Sequence, residues 1–97
     1  MARLIYSPAA FADLDRIIEF LLDRSSADAG DALMQIRSAI AVLARHPNIG
    51  RRVDEHRREL VISHGATGYL ALYRHDVRPD VVRILRRRHQ REAGYRD

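Results

Sequence analysis

Tyr69-Leu70-Ala71-Leu72-Tyr73-Arg74, Val77-Arg78-Pro79-Asp80 and Val81-Val82-Arg83-Ile84-Leu85-Arg86-Arg87 fill most of the second half of the chain. The first and last of these runs are apolar, aromatic and β-branched, as strands are. The middle run is a turn built on proline and aspartate. Two strands joined this closely form an antiparallel pair. Upstream, Glu59 to Ser63 reads as another strand around Leu60-Val61-Ile62, linked onward by the turn Gly65-Ala66-Thr67-Gly68. The three strands make a meander.

The first half has a different period. Leu4-Ile5-Tyr6 reads as a short opening strand, and Ser7-Pro8 as a helix start, a hydroxyl cap followed by proline at the first helical position. Phe11, Leu14, Ile17, Ile18, Leu21 and Leu22 then recur at helical spacing, which predicts a buried face on a helix from about Pro8 to Arg24. Asp13, Asp15, Arg16, Glu19 and Asp23 fall largely on the outside. Ser25-Ser26-Ala27-Asp28 breaks the helix and caps a second one, in which Ala32, Leu33, Ile36, Ile40 and Leu43 predict a buried face as far as about His46. Pro47-Asn48-Ile49-Gly50 ends that helix, and Arg51 to Arg58 reads as a charged connector. Ala29, Ala32 and Ala39 are small enough to let two antiparallel helices approach closely. The order is β-α-α-β-β-β, an α+β domain spanning residues 1–97 in which a helical hairpin covers one face of a mainly antiparallel sheet.

The chain carries 17 basic against 13 acidic residues, and every basic residue is arginine. Without lysine there is no Schiff base, and without cysteine there is no disulfide, thiol nucleophile or thiolate zinc site. The five histidines match no metal-ligand spacing, so no metal and no cofactor are expected. Ser7, Ser25 and Ser26 are explained as caps. No apolar run is long enough for a membrane span or a signal peptide, which points to a cytoplasmic protein without membrane contact.

One feature does suggest function. Residues 81 to 91 hold five arginines, Arg83, Arg86, Arg87, Arg88 and Arg91, with no acid among them. Such a patch repels itself and suits an anionic partner. Strict strand alternation places Arg83 and Arg87 on one face and Arg86 and Arg88 on the other, so one pair is available to acids of the helices. His89, Arg91 and Tyr95 close the same segment. Histidine or tyrosine can move protons and arginine can brace a phosphate, so these residue types fit RNA cleavage without a metal. They fit a plain binding patch equally well.

The chain resembles the RelE/ParE superfamily of toxins from type II toxin–antitoxin modules over nearly its whole length. The resemblance rests on Ala12-Asp13-Leu14-Asp15-Arg16-Ile17-Ile18-Glu19-Phe20, His46-Pro47-Asn48-Ile49-Gly50-Arg51, Arg58-Glu59-Leu60, Gly68-Tyr69-Leu70-Ala71-Leu72-Tyr73-Arg74, and Val82-Arg83-Ile84-Leu85 leading to His89. It implies the same β-α-α-β-β-β fold and neutralisation by a cognate, small, acidic antitoxin. RelE-like members are ribosome-dependent ribonucleases that cut mRNA, whereas ParE-like members poison DNA gyrase and are not known as hydrolases.

Against the RelE pattern, Tyr95 matches the terminal tyrosine, Arg91 an arginine, and His89 a position that is a catalytic arginine there. Leu70 stands where a phosphate-binding arginine is expected, and Val61 and Ser63 stand where basic side chains are expected. Asp13-Leu14 and Ile17-Ile18 look more like ParE. The resemblance therefore favours a ParE-like gyrase toxin whose target-facing residues are Arg83, Arg86, Arg87, Arg88 and Arg91. The alternatives are an mRNA endoribonuclease using His89, Arg91 and Tyr95, and a degenerate, non-toxic binding module. For the antitoxin, the expected landing place is a groove beside the helical hairpin, with exposed edge-strand atoms as a second option. Ile49, Tyr69 and Tyr73 are the candidates to line the groove, although an ordinary core place is the stronger expectation for any one of them.

Overall fold

The computed structural model describes residues 1–23, 25–64 and 67–89, without the side chains of residues 63, 64, 67 and 89. Strand β1 (Arg3–Tyr6) leads into helix α1 (Pro8–Leu22). Ser7 caps α1 by accepting from Ala10 N at 3.0 Å, and Pro8 sits where the missing N–H costs nothing. The same Ser7 hydroxyl donates to Leu85 O at 2.7 Å, and Ser7 N donates to Ile84 O at 2.9 Å. One serine thus fixes the strand-to-helix corner to the last strand.

Helix α2 (Ser26–Ala41) is capped by Ser25 and ends in a tighter 3₁₀ turn over Val42–Ala44. Strands β3 (Arg58–His64), β4 (Thr67–Asp76) and β5 (Val81–His89) form the expected meander. The sheet order is β1-β5-β4-β3-β2, and β1 lies parallel to β5 with Arg3 opposite Val81 and Tyr6 opposite Ile84. The helical hairpin carries the chain from β1 at one edge of the sheet to β2 at the other, and the meander then brings β5 back beside β1. Strand β2 is an addition to the expected order: Arg51–Arg52 pair with Glu59 and Arg58 inside what reads as a charged connector. Two charged residues carry no alternation by which a strand could be recognised.

The core lies between the hairpin and one face of the sheet. Ile17, Leu21, Ile36, Ile40 and Leu43 pack with Ile62, Tyr69, Ala71, Tyr73, Val82 and Ile84. The buried line of α1 is Ala10, Asp13, Ile17 and Leu21, with Leu14 and Ile18 partly covered. This corrects the expected stripe at both ends, because Phe11 and Leu22 are exposed and Asp13 is not. Small Ala10 lets the first turn of α1 close on β5, which turns the helix by about one position.

Tyr69 and Tyr73 are fully enclosed core residues, the stronger expectation for each taken singly, so as candidates to line an open groove for an antitoxin they are corrected. Of that trio only Ile49 is exposed, at 58%. Burial raises the pKa of Tyr73, whose hydroxyl accepts from Gly50 N at 2.9 Å. The glycine is required by this close approach: a Cβ there would lie 2.7 Å from both Cε1 and Oη of Tyr73 and 2.9 Å from Glu59 O. Gly50→Ala must therefore displace a packed ring or a strand carbonyl. It is expected to cost about 1–3 kcal/mol, read as a lower urea midpoint.

Candidate functional site

The arginine run of β5 is arranged by a β-bulge. Tyr73 lies opposite Ile84, but its neighbour Leu72 lies opposite Arg86, so Leu85 is an extra residue. After the bulge the side-chain parity is reversed. Strict alternation would place Arg83 with Arg87. Instead Arg87 lies opposite core-facing Ala71, while Arg86 and Arg88 lie opposite Leu72 and Leu70, on the same face as Arg83.

Arg87 is consequently a core residue, 2% exposed. Its Nε and Nη2 donate to Ala10 O at 3.1 and 2.7 Å, and the guanidinium lies 5.0 Å from the centroid of the Tyr6 ring. Burial pushes its pKa down, against the opposing pull of the charge on Asp13. Asp13, also 2% exposed, accepts from Arg87 N at 2.9 Å, from Nε and Nη2 of Arg86 at 2.7 and 3.0 Å, and from Nη1 of Arg16 at 2.9 Å. Burial alone would raise the pKa of its carboxyl. The bonds from Arg86, the Arg87 amide and Arg16 outweigh it, and the net shift is downward. Asp13 therefore meets the β5 edge just past the end of β1 and takes a strand N–H that has no strand partner.

The sheet face turned away from the helices carries the other arginines. Arg51, Glu59, Leu72 and Arg86 form one row across β2, β3, β4 and β5, and Val61, Leu70 and Arg88 form the next. Glu59 is buried and bonded by Arg51 through Nε at 3.0 Å and through Nη2. Arg83 Nε donates to Asp76 Oδ2 at 2.8 Å, and Arg74 shares that carboxylate. These two arginines hold the Asp76 carboxyl below the usual carboxylate range. Leu70 and Leu72, at the centre of these two rows, are buried, and Val61 is exposed. The arrangement is a partly apolar sheet face edged by guanidinium groups.

Of the five arginines expected to face a target, Arg83, Arg86 and Arg88 lie on this face, with Arg83 tied to Asp76 and Arg86 to Asp13. Arg87 does not face outward, because the bulge turns it inward. Arg91 and Tyr95 lie outside the described residues. The backbone of His89 ends β5 opposite Tyr69, and its side chain lies outside the described atoms. The site residue that the periodic reading misses is Asp13. The usable signal is Ala10, Asp13, Ile17 and Leu21 at one helical spacing, a small residue leading an acid into the buried line. Among the described residues no helix is long and apolar enough to cross a membrane.

Comparison with known proteins accords with this geometry. A solved structure, the chromosomal ParDE TA system from P. aeruginosa, superposes with a TM-score of 0.74 at 22% identity, covering 92% of this chain and 96% of that one. Toxin RelE3 of Caulobacter vibrioides is 42% identical over 85 residues, 88% of this chain and 90% of that protein. The family model described as the ParE toxin of the type II toxin-antitoxin system, parDE, matches residues 4–94. The chain belongs to the ParE toxin family of type II toxin–antitoxin systems.

Proposed function

We propose that this toxin acts in the cytoplasm on DNA gyrase, holding the enzyme in its DNA-cleaved state, and that a small acidic antitoxin neutralises it. The observation that carries the proposal is the chemistry of the open sheet face. Metal-free RNA cleavage needs cations on the phosphate and groups that move protons. Here Leu70 and Val61 occupy the middle of the face, and Arg83 and Arg86 are already engaged by Asp76 and Asp13. Losing a single preorganised contact to a developing anion costs about 3–4 kcal/mol of transition-state stabilisation. A guanidinium-edged face with an apolar floor suits docking on a macromolecule better than catalysis. Arg83, Arg86 and Arg88 are the target-facing set on this reading, and Arg91 joins them by sequence position alone. Of the three residues expected to meet the antitoxin, Ile49 is the one that is exposed.

A second reading, a ribosome-dependent mRNA endoribonuclease, draws support from the name of the Caulobacter relative and from the placement of His89 at the end of β5. A supercoiling and cleavage assay separates the two. Lost supercoiling with accumulating cleaved DNA, reversed by the antitoxin, is the expected result. Inert behaviour of the folded protein on gyrase, with mRNA cut in a translating extract, would replace the proposal with the nuclease reading.

A further inference from the structure

A cleft of about 590 Å³ opens at the far end of the sheet from the β5 terminus, between residues 48–58 and the end of β4. Its walls hold four arginines, Arg52, Arg57, Arg58 and Arg74, against three acids, Asp54, Glu55 and Asp76. Most of these charges are matched locally. Arg57 bonds Asp54 through Nε at 2.7 Å, Arg74 pairs with Asp76 at 2.9 Å, and His75 contacts Asp80 at 2.7 Å. His56 lies 3.8 Å from Glu55.

Two charges have no carboxylate among the described residues. Arg58 is held by neutral carbonyls, donating through Nη1 to Asn48 O at 3.1 Å and Gly50 O at 2.9 Å, and Arg52 is exposed. They are direct cross-strand partners. Like charges placed opposite each other in a sheet repel. The loop beside them is bonded to itself: Asp54 accepts from the N–H groups of His56 and Arg57 at 3.0 and 2.8 Å, and the Arg57 side chain holds the pKa of the Asp54 carboxyl down at about 2. The fold therefore preserves a pair of adjacent, uncompensated guanidinium groups in a preformed cleft.

We propose that Arg52 and Arg58 bind a phosphate group, carried on a nucleic-acid backbone or on a small phosphoester. Guanidinium forks match phosphate oxygens in pairs, and one phosphate between the two would replace repulsion with charge-assisted hydrogen bonds. The site is separate from the β5 arginines. It does not depend on which target the toxin attacks, and its test contains neither gyrase nor ribosome.

The full chain, labelled with ¹⁵N, is titrated with inorganic phosphate and then with a single-stranded oligodeoxynucleotide. The signals read are the Nε–Hε groups of Arg52 and Arg58 and the amides of residues 52–58. Saturable shifts confined to this cleft are expected, on the order of tenfold weaker in Arg52→Gln, which removes one charge-assisted contact from an exposed edge position. Arg52→Lys keeps the charge and should recover part of the loss. Displacement of phosphate by the oligonucleotide assigns the ligand to a nucleic-acid backbone, and phosphate binding without displacement assigns it to a small phosphoester. Shifts spread evenly over all exposed arginines, or unchanged affinity in Arg52→Gln, would overturn the proposal. So would a glutamate-rich peptide that displaces phosphate at lower concentration than the oligonucleotide does.

Discussion

Replacing Asp13 with asparagine should destabilise the fold by about 3 kcal/mol, the lower end of what removing one partner from a buried ion pair costs. Asparagine keeps the size and one acceptor oxygen. It cannot serve the Arg87 amide, the Arg86 fork and Arg16 together, and it withdraws a negative charge that favours the buried Arg87 guanidinium. Alanine should cost more, because the β5 amide then loses its acceptor entirely. Urea unfolding at neutral pH measures both.

The same carboxylate predicts an acid response. Its folded-state pKa lies below the ordinary value of 3.8, so its contribution is present above that value and is lost as pH falls through the folded pKa. The native chain should lose stability below about pH 4 more steeply than Asp13→Asn, where this titration is absent. Parallel acid profiles would show that Asp13 does not stabilise the fold as an anion.

Arg87→Ala is the second large effect. The truncation strips Ala10 O of two donors, empties the space beside Tyr6 and leaves Asp13 with less positive charge around it. A loss of about 2–4 kcal/mol follows, which in a chain of this size lowers the melting temperature by roughly 10–25 °C. Lysine should not rescue it, since a point charge cannot address one carbonyl with two N–H groups while lying on a ring. A reader of the arginine run alone would attribute lost toxicity in this variant to a lost target contact. Circular dichroism and thermal melting of the variant distinguish the two causes: a native-like melt with lost toxicity would return Arg87 to the target surface.

Much of the architecture is legible in the chain. Ser7-Pro8 and Ser25 mark helix starts, the 3.6 period marks both helices, and alternation with turns marks the meander. The family motifs run along the same elements. The site is less legible for identifiable reasons. The bulge falls within Ile84-Leu85-Arg86, where no glycine or proline signals a break, so alternation puts the arginines on the wrong faces. Asp13 reads as solvent-facing because an unpaired acid in a helix usually is, and the arrival of β5 supplies most of the donors that let it be buried. Tyr69 and Tyr73 could each have lined a groove or filled a core. Which one holds depends on how closely the hairpin lies on the sheet, a tertiary quantity that no local pattern encodes.

The parallel pairing of β1 with β5 has a consequence for biosynthesis. Ser7, at the start of the chain, is completed by Leu85, 78 residues away, and Asp13 by Arg86 and Arg87. A nascent chain that has not yet exposed β5 has no neighbour for β1 and, for Asp13, only Arg16 of its own helix as a charge partner. The earlier segments therefore wait, partly ordered, until the last strand leaves the ribosome, as contacts distant in sequence require. Closure of the fold follows synthesis of β5, and a translation product truncated before that strand carries the helices and the first strands without the assembled sheet.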